Sequence, residues 1–163
     1  MVTKSSILLT GATGTVGREV LKRLLNKNKY NIVVFSPDRK RNRRFYSKIN
    51  GNISVCYGSL ENADDLKKIT EKIDFVIHLA AIIPPLADEK PEMAHRVNTL
   101  GTQYLLSRVK ELNPKAYFMY SSSVSVYGDR LSNPNIKVTD ALIASEGDEY
   151  ALTKIEAEKH IQN

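Results

Sequence analysis

The sequence predicts an α/β fold: a doubly wound parallel sheet with helices on both faces. Three observations carry this. Short runs rich in β-branched and aromatic residues alternate with longer stretches whose apolar residues fall at helical spacing. Several of the short runs are apolar throughout instead of alternating, the pattern of parallel strands covered on both sides. Three glycines, Gly11, Gly14 and Gly17, stand where the first such run gives way to the first helical stretch.

Taken in order, the strand candidates are Ser6–Leu9, Asn31–Phe35, Ile53–Cys56, Phe75–Leu79 and Ala116–Tyr120. Between them, Val16–Leu25 places Val20, Leu21, Leu24 and Leu25 on one helical face. Ala63–Ile73 repeats this more weakly, with Asp64 and Asp65 in a first turn where carboxylates suit the helix dipole. Pro91–Leu112 reads as one long helix opened by proline and stopped by Asn113-Pro114. A last helix is expected from about Asp148 to the end, after a polar loop over Leu131–Gly147. With 163 residues and no linker or repeat, the chain is expected to be a single domain, 1–163.

Composition narrows the function. The chain is 42% hydrophobic and 26% charged, the balance of a soluble globular protein, and its apolar runs are too short to span a bilayer. The start lacks the charged-then-apolar pattern of a signal peptide, so a cytoplasmic location and no membrane partner are expected. A single cysteine, Cys56, excludes an internal disulfide framework, and its place in a strand suits a small core residue. The net charge of +6 comes almost wholly from Arg39, Lys40, Arg41, Arg43 and Arg44. One local patch without interleaved aromatics argues against nucleic acid as a partner. His78 and His95 lack the spacing and companions of a metal site, so no metal is expected.

The residues Gly11, Thr13, Gly14, Thr15, Val16 and Gly17 form a candidate cradle for a dinucleotide pyrophosphate. Glycine permits the sharp turn and the close approach of phosphate, and the following helix offers free N–H groups. The acidic residue that bonds an NAD ribose is expected about 20 positions further on. Here that position falls near Ser36, which is neutral, while Asp38 and Arg39 follow. Guanidinium groups suit a 2′-phosphate, so the residues favour NADP; NAD stays open, with Asp38 as its ribose contact.

Tyr150 and Lys154 are four residues apart and share one face of the last helix. Tyrosine ionises near pH 10, too high for a base at neutrality, and a neighbouring ammonium would favour its phenolate. Ser123, at the end of the fifth strand run, is the hydroxyl that could orient a substrate oxygen.

These segments together resemble the extended branch of the short-chain dehydrogenase/reductase superfamily, the NAD(P)-dependent epimerase/dehydratase family. Thr10–Gly17 is similar to its cofactor fingerprint, and Gly58-Ser59-Leu60 to its Gly-Asp-Leu segment, with serine departing from the pattern. His78-Leu79-Ala80-Ala81 resembles its His-x-Ala-Ala segment, and Val97-Asn98 with Gly101-Thr102 its central helix. Ser121–Gly128 is similar to its catalytic-serine strand, and Tyr150 with Lys154 to its catalytic pair. The resemblance implies a Rossmann-like fold, a cytoplasmic homodimer, and catalysis by Ser123, Tyr150 and Lys154 on a sugar nucleotide or a small carbonyl or hydroxyl metabolite. It implies cofactor contacts from Ser36, Arg39, Ser59, Leu60, Leu79, Ala80, Ala81 and Asn98, with Tyr150 and Lys154 serving both roles. It leaves epimerase, dehydratase and reductase open.

Members of that branch are roughly twice as long, so the resemblance implies a truncated chain, without the C-terminal substrate region and incomplete for turnover. An unpaired edge at Ala116–Tyr120 is the expected consequence. Two further readings are carried forward. Ile82–Leu86 is either an apolar substrate lip or a stiff loop. A non-catalytic NADP-sensing module on the same fold is the alternative to an enzyme, although such a module has no need of the Ser/Tyr/Lys set.

Overall fold

The computed structural model describes residues 4–162. Among them, strands β1 (Ser6–Thr10), β2 (Asn31–Ser36), β3 (Ile53–Tyr57), β4 (Phe75–His78) and β5 (Tyr117–Tyr120) form one parallel sheet in the order β3-β2-β1-β4-β5. The expected doubly wound sheet is therefore present, and each strand begins or ends within a residue of its sequence expectation. Register puts Leu8 beside Val33 and Val76, and Leu9 beside Val34 and Ile77. Leu8, Leu9, Val34 and Val76 are fully buried and Val33 nearly so, so the central strands lack alternation because both of their faces are covered.

One face packs Ile7, Leu9, Ile32 and Val34 under helix α1 (Thr15–Lys27), through Leu21 and Leu24. Tyr46, at the end of helix α2 (Lys40–Tyr46), joins the same cluster. Helix α2 is a correction to the sequence reading, which treated the arginine-rich run as a patch or loop. Lysine and arginine are good helix formers, and buried Asn42 and Tyr46, one turn apart, anchor the segment.

Two other helices depart from expectation. Helix α3 stops at four residues, Ala63–Leu66, where eleven were expected. Leu66, Ile69 and Ile73 are buried as the helical pattern predicts, but tight turns carry the chain between them. The Ile69 carbonyl accepts two bonds from the Arg108 guanidinium, at 2.6 and 3.0 Å, a partner that replaces helix continuation. The long stretch from Pro91 contains α5 (Pro91–Ala94), a π-helical turn over His95–Leu100, and α6 (Gly101–Leu112). A short helix α4 (Leu86–Glu89) precedes it, and α7 (Glu149–Gln162) closes the chain. No helix among the described residues is long and apolar enough to cross a membrane.

The described residues divide into two compact units. One comprises those up to Ala80 together with Tyr104–Ser121, and so holds the whole sheet with α1, α2 and α3. The other comprises Ala81–Gln103 and the residues from Ser122 on, and holds α4, α5, the π-turn and α7. In the sheet unit β5 pairs with β4 and ends the strand order, with Tyr117 66% and Met119 42% exposed.

Because Leu8 is packed from both directions on the central strand, Leu8→Ala should lower unfolding free energy by about 3 kcal/mol. Urea denaturation followed by circular dichroism reads this directly. A loss below about 1 kcal/mol would mean the strand is less enclosed than described.

Candidate active site

In the sheet unit, β1 runs into a turn that leaves no room for a side chain at Gly11 or Gly17. Gly11 has φ +70°, and a β-carbon there would lie 2.8 Å from both the Leu79 carbonyl carbon and the Ala80 nitrogen. A β-carbon on Gly17 would lie 2.1 Å from the Gly11 carbonyl oxygen. Gly11 accepts from the Gly14 N–H at 3.0 Å, and Gly14 caps α1 without a side-chain bond. The first turn of α1 carries no acidic residue, and Val16 is 65% exposed there. The tight glycine turn and the uncapped N–H groups at the head of α1 fit a dinucleotide pyrophosphate.

Thr10, which the sequence reading left without a role, ties this turn to the end of β4. Its Oγ1 accepts from the Leu79 and Ala80 N–H groups at 3.2 and 3.1 Å. With both lone pairs engaged, its proton goes to His78 Nδ1 at 2.6 Å, which places the neutral ring's hydrogen on Nε2. Leu79 and Ala80 thus border the glycine turn. A threonine ending a strand before glycine was visible in the sequence, but its partners were 68 to 70 residues away.

At the end of β2, Ser36 is buried and its Oγ accepts from Asn42 Nδ2 at 3.2 Å. Asn42 Oδ1 is buried with no hydrogen-bond partner among the described residues. Asp38 is held by Arg43 through two bonds, at 2.6 and 2.9 Å, and that pairing keeps its carboxyl below the usual range. The Arg43 guanidinium also lies 4.3 Å from the Tyr57 ring centroid. Arg39 is exposed, immediately before α2. The Ser59 N–H donates to Asp65 at 2.9 Å, and Leu60 is buried.

The second unit brings Ser123, Tyr150 and Lys154 together. Asp148 Oδ1 accepts from the Ala151 N–H at 2.8 Å, capping α7 so that Tyr150 and Lys154 stand on its first turns. Ser123 caps a 3₁₀ turn over Val124–Tyr127, with its hydroxyl in the neighbourhood of Tyr150. The Lys154 ammonium lies 5.6 Å from the Tyr150 ring centroid. Burial raises the Tyr150 phenol above its ordinary value, the nearby Ser123 hydroxyl opposes this, and Asp148 adds to it. Burial lowers Lys154 to about 8, with Glu158 opposing; the side chain is 3% exposed. The ammonium expected to favour the phenolate is therefore itself destabilised by its surroundings.

Asn98, in the π-turn, works inside this unit. It accepts from the Ile82 N–H at 2.7 Å and donates to the Ile82 carbonyl at 2.9 Å and the Thr153 hydroxyl at 3.1 Å. The Thr99 hydroxyl shares its one proton between the Thr153 carbonyl at 3.3 Å and Glu156 at 3.1 Å. The apolar segment after Ile82 is thus held by Asn98 at its start, and Ile83 is 59% exposed. Ala81 precedes it, partly buried.

A parallel sheet whose central strand feeds a glycine-lined helix N-terminus is the architecture of dinucleotide-binding α/β proteins. The chain belongs to the NAD dependent epimerase/dehydratase family, whose model matches residues 7–163. It is 31% identical to D-erythronate dehydrogenase of Haemophilus influenzae over 134 residues, covering 77% of this chain and 40% of that enzyme. It is 37% identical to UDP-glucuronate 4-epimerase 3 of Arabidopsis thaliana over 136 residues, covering 76% of this chain and 30% of that enzyme. Among solved structures, UDP-glucuronic acid 4-epimerase from Bacillus cereus in complex with NAD superposes with a TM-score of 0.78 at 27% identity, covering 96% of this chain and 51% of that one. The chain thus spans about half or less of the length of these relatives.

Burial of Lys154 carries a sign that can be tested. Below pH 8 the folded state holds a buried ammonium. Between about 8 and the ordinary 10.5 the unfolded chain keeps that proton and the folded chain does not, so stability rises with pH across this window. The rise attributable to Lys154 is on the order of 3 kcal/mol. Lys154→Met should remove that component and stabilise the chain at pH 7, seen as a higher Tm and a flatter profile from pH 8 to 10. A parent profile matching that of Lys154→Met would show that the ammonium is not buried at this cost.

Proposed function

We propose that this chain supplies the cofactor-binding and proton-transfer parts of an NAD(P)-dependent enzyme acting on a sugar nucleotide or a small hydroxy or carbonyl metabolite. The observation that carries the reading is the meeting of Ser123, Tyr150 and a buried Lys154 in one unit. A bound nicotinamide supplies the capacity to take up and return hydride. The residues Gly11, Thr13, Gly14, Thr15, Val16 and Gly17, with Leu79 and Ala80, would hold its pyrophosphate end. Tyr150 would take the proton of a substrate hydroxyl or return it to a carbonyl oxygen. Ser123 would hold that same oxygen. Lys154 would stabilise the Tyr150 phenolate while it remains charged, which is the case below about pH 8.

Turnover of UDP-glucuronate or D-erythronate, the compounds in the relatives' names, by a complete-length version of the protein is the test. Tyr150→Phe should reduce it roughly 100- to 10,000-fold. Unchanged turnover overturns the mechanism, whereas cofactor binding without any turnover in the parent favours a non-catalytic NADP-sensing module.

Of the two cofactors, the reading favours NADP. Ser36 is neutral and already bonded to Asn42, both Asp38 oxygens are engaged by Arg43, and Arg39 stands exposed beside them. Calorimetric titration at fixed, moderate salt should show tighter binding of NADP than of NAD, and Arg39→Ala should shrink that difference roughly tenfold. Preference for NAD would instead make Asp38 the ribose contact.

A further inference from the structure

Arg18 stands near the head of α1, one residue past the glycine turn, and its side chain is fastened at two points. Its Nε donates to the Thr13 carbonyl at 2.9 Å, inside the glycine turn. Its guanidinium carbon lies 5.1 Å from the centroid of the Phe45 ring on α2. That ring is itself fixed, packed against the apolar core and set edge-on to Tyr46 with centroids 5.1 Å apart. An exposed arginine ordinarily keeps many rotamers, and a ring face together with a carbonyl removes much of that freedom. No carboxylate pairs with Arg18 among the described residues, whereas Arg23 on the same helix pairs with Glu19, and Arg43 with Asp38. Its Nη nitrogens, part of the fork that suits phosphate oxygens, have no hydrogen-bond partner among the described residues.

The place of this held charge follows from the elements it joins. In dinucleotide-binding sheets the pyrophosphate lies at the head of the first helix, and the adenosine ribose turns toward the end of the second strand. Thr13 belongs to the first of these places. Phe45 belongs to α2, which follows β2 directly and is bonded back to its end. There Asn42 Nδ2 donates to Ser36 Oγ at 3.2 Å and to the Pro37 carbonyl at 2.9 Å. Arg18 thus spans the corner of the sheet unit where a ribose 2′-oxygen would lie. A guanidinium only donates, so it gives a 2′-hydroxyl one bond to a neutral acceptor but grips a 2′-phosphate through charged oxygens.

We propose that Arg18 is a specificity-determining residue whose guanidinium, held between the Thr13 carbonyl and the Phe45 ring, binds the 2′-phosphate of NADP. This rests on the reading of NADP as the preferred cofactor. It adds to the exposed Arg39 a cation whose position is set before the ligand arrives.

The test uses only the adenosine ends of the two cofactors, so neither nicotinamide nor substrate enters it. Adenosine 2′,5′-bisphosphate and adenosine 5′-monophosphate are titrated calorimetrically into the parent chain and its variants at one salt concentration. The parent should bind the bisphosphate more tightly. Arg18→Ala should weaken bisphosphate binding roughly tenfold and change monophosphate binding by less than about twofold, which also reports that the variant is folded. Arg23→Ala removes the same charge from the same helix and should leave both affinities unchanged, separating a local contact from the general field. Arg18→Lys keeps the charge, loses the fork and should recover only part of the loss. Bisphosphate binding that survives Arg18→Ala overturns the role of Arg18 and leaves the NADP reading standing. A loss shared equally by both probes, or matched by Arg23→Ala, does the same. Full recovery with lysine overturns the stacked fork as the binding group. A parent that binds the two probes equally, or neither of them, removes the NADP reading and the role of Arg18 together.

Discussion

A β-carbon on Gly17 would sit 2.1 Å from the Gly11 carbonyl oxygen, and one on Gly11 would press on the Leu79–Ala80 peptide. These approaches fix where the sheet unit ends and its first helix begins. Gly17 lets α1 lie directly on the turn, while Gly11 lets the ends of β1 and β4 close on one another. The Thr10 hydroxyl then bonds three groups of the β4 end, locking the two strands in register where they stop. Only because of this closeness do backbone N–H groups lie bare at the head of α1 with no acidic side chain among them. The chemistry of the site follows from a packing constraint.

The second unit meets a different demand, that of holding polar groups away from water without leaving them unbonded. Asn98 satisfies both the N–H and the carbonyl of Ile82 and reaches the hydroxyl of Thr153. Thr153 bonds the Tyr150 carbonyl within α7, and Thr99 binds the helix again one turn later. The first turns of α7 are thereby held by hydrogen bonds alongside the buried Ala151 and Ile155. The burial of Lys154 between these residues opposes folding at neutral pH, a cost typical of sites kept for chemistry.

Charge follows the same division between local and long-range causes. The cations of residues 39–44 are crowded in sequence, but α2 sorts them. Arg43 is drawn against Asp38 and Tyr57, while Asn42 turns inward to Ser36. A strongly basic stretch thus becomes one paired cation and an exposed remainder beside a buried neutral serine.

Much of this was legible beforehand. The strands could be read because a strand covered on both faces must be apolar at every residue, as Leu8, Leu9, Val33 and Val34 are. The glycine turn could be read because its spacing states a steric need, and the Tyr150–Lys154 pair because a helix places them on one face. Helix α2 was missed because its anchors, Asn42 and Tyr46, are masked by five charges, and α3 was overextended because Arg108, 39 residues away, takes the Ile69 carbonyl. The sequence by itself determined the sheet, the turn and the placing of Tyr150 and Lys154 on one helix face, since these depend on local sterics and periodicity. Tertiary structure decided the burial of Lys154, the links made by Asn98 and Thr10, and the nearness of Ser123 to Tyr150. Those depend on groups far apart in the chain, and no local pattern records which of them will meet.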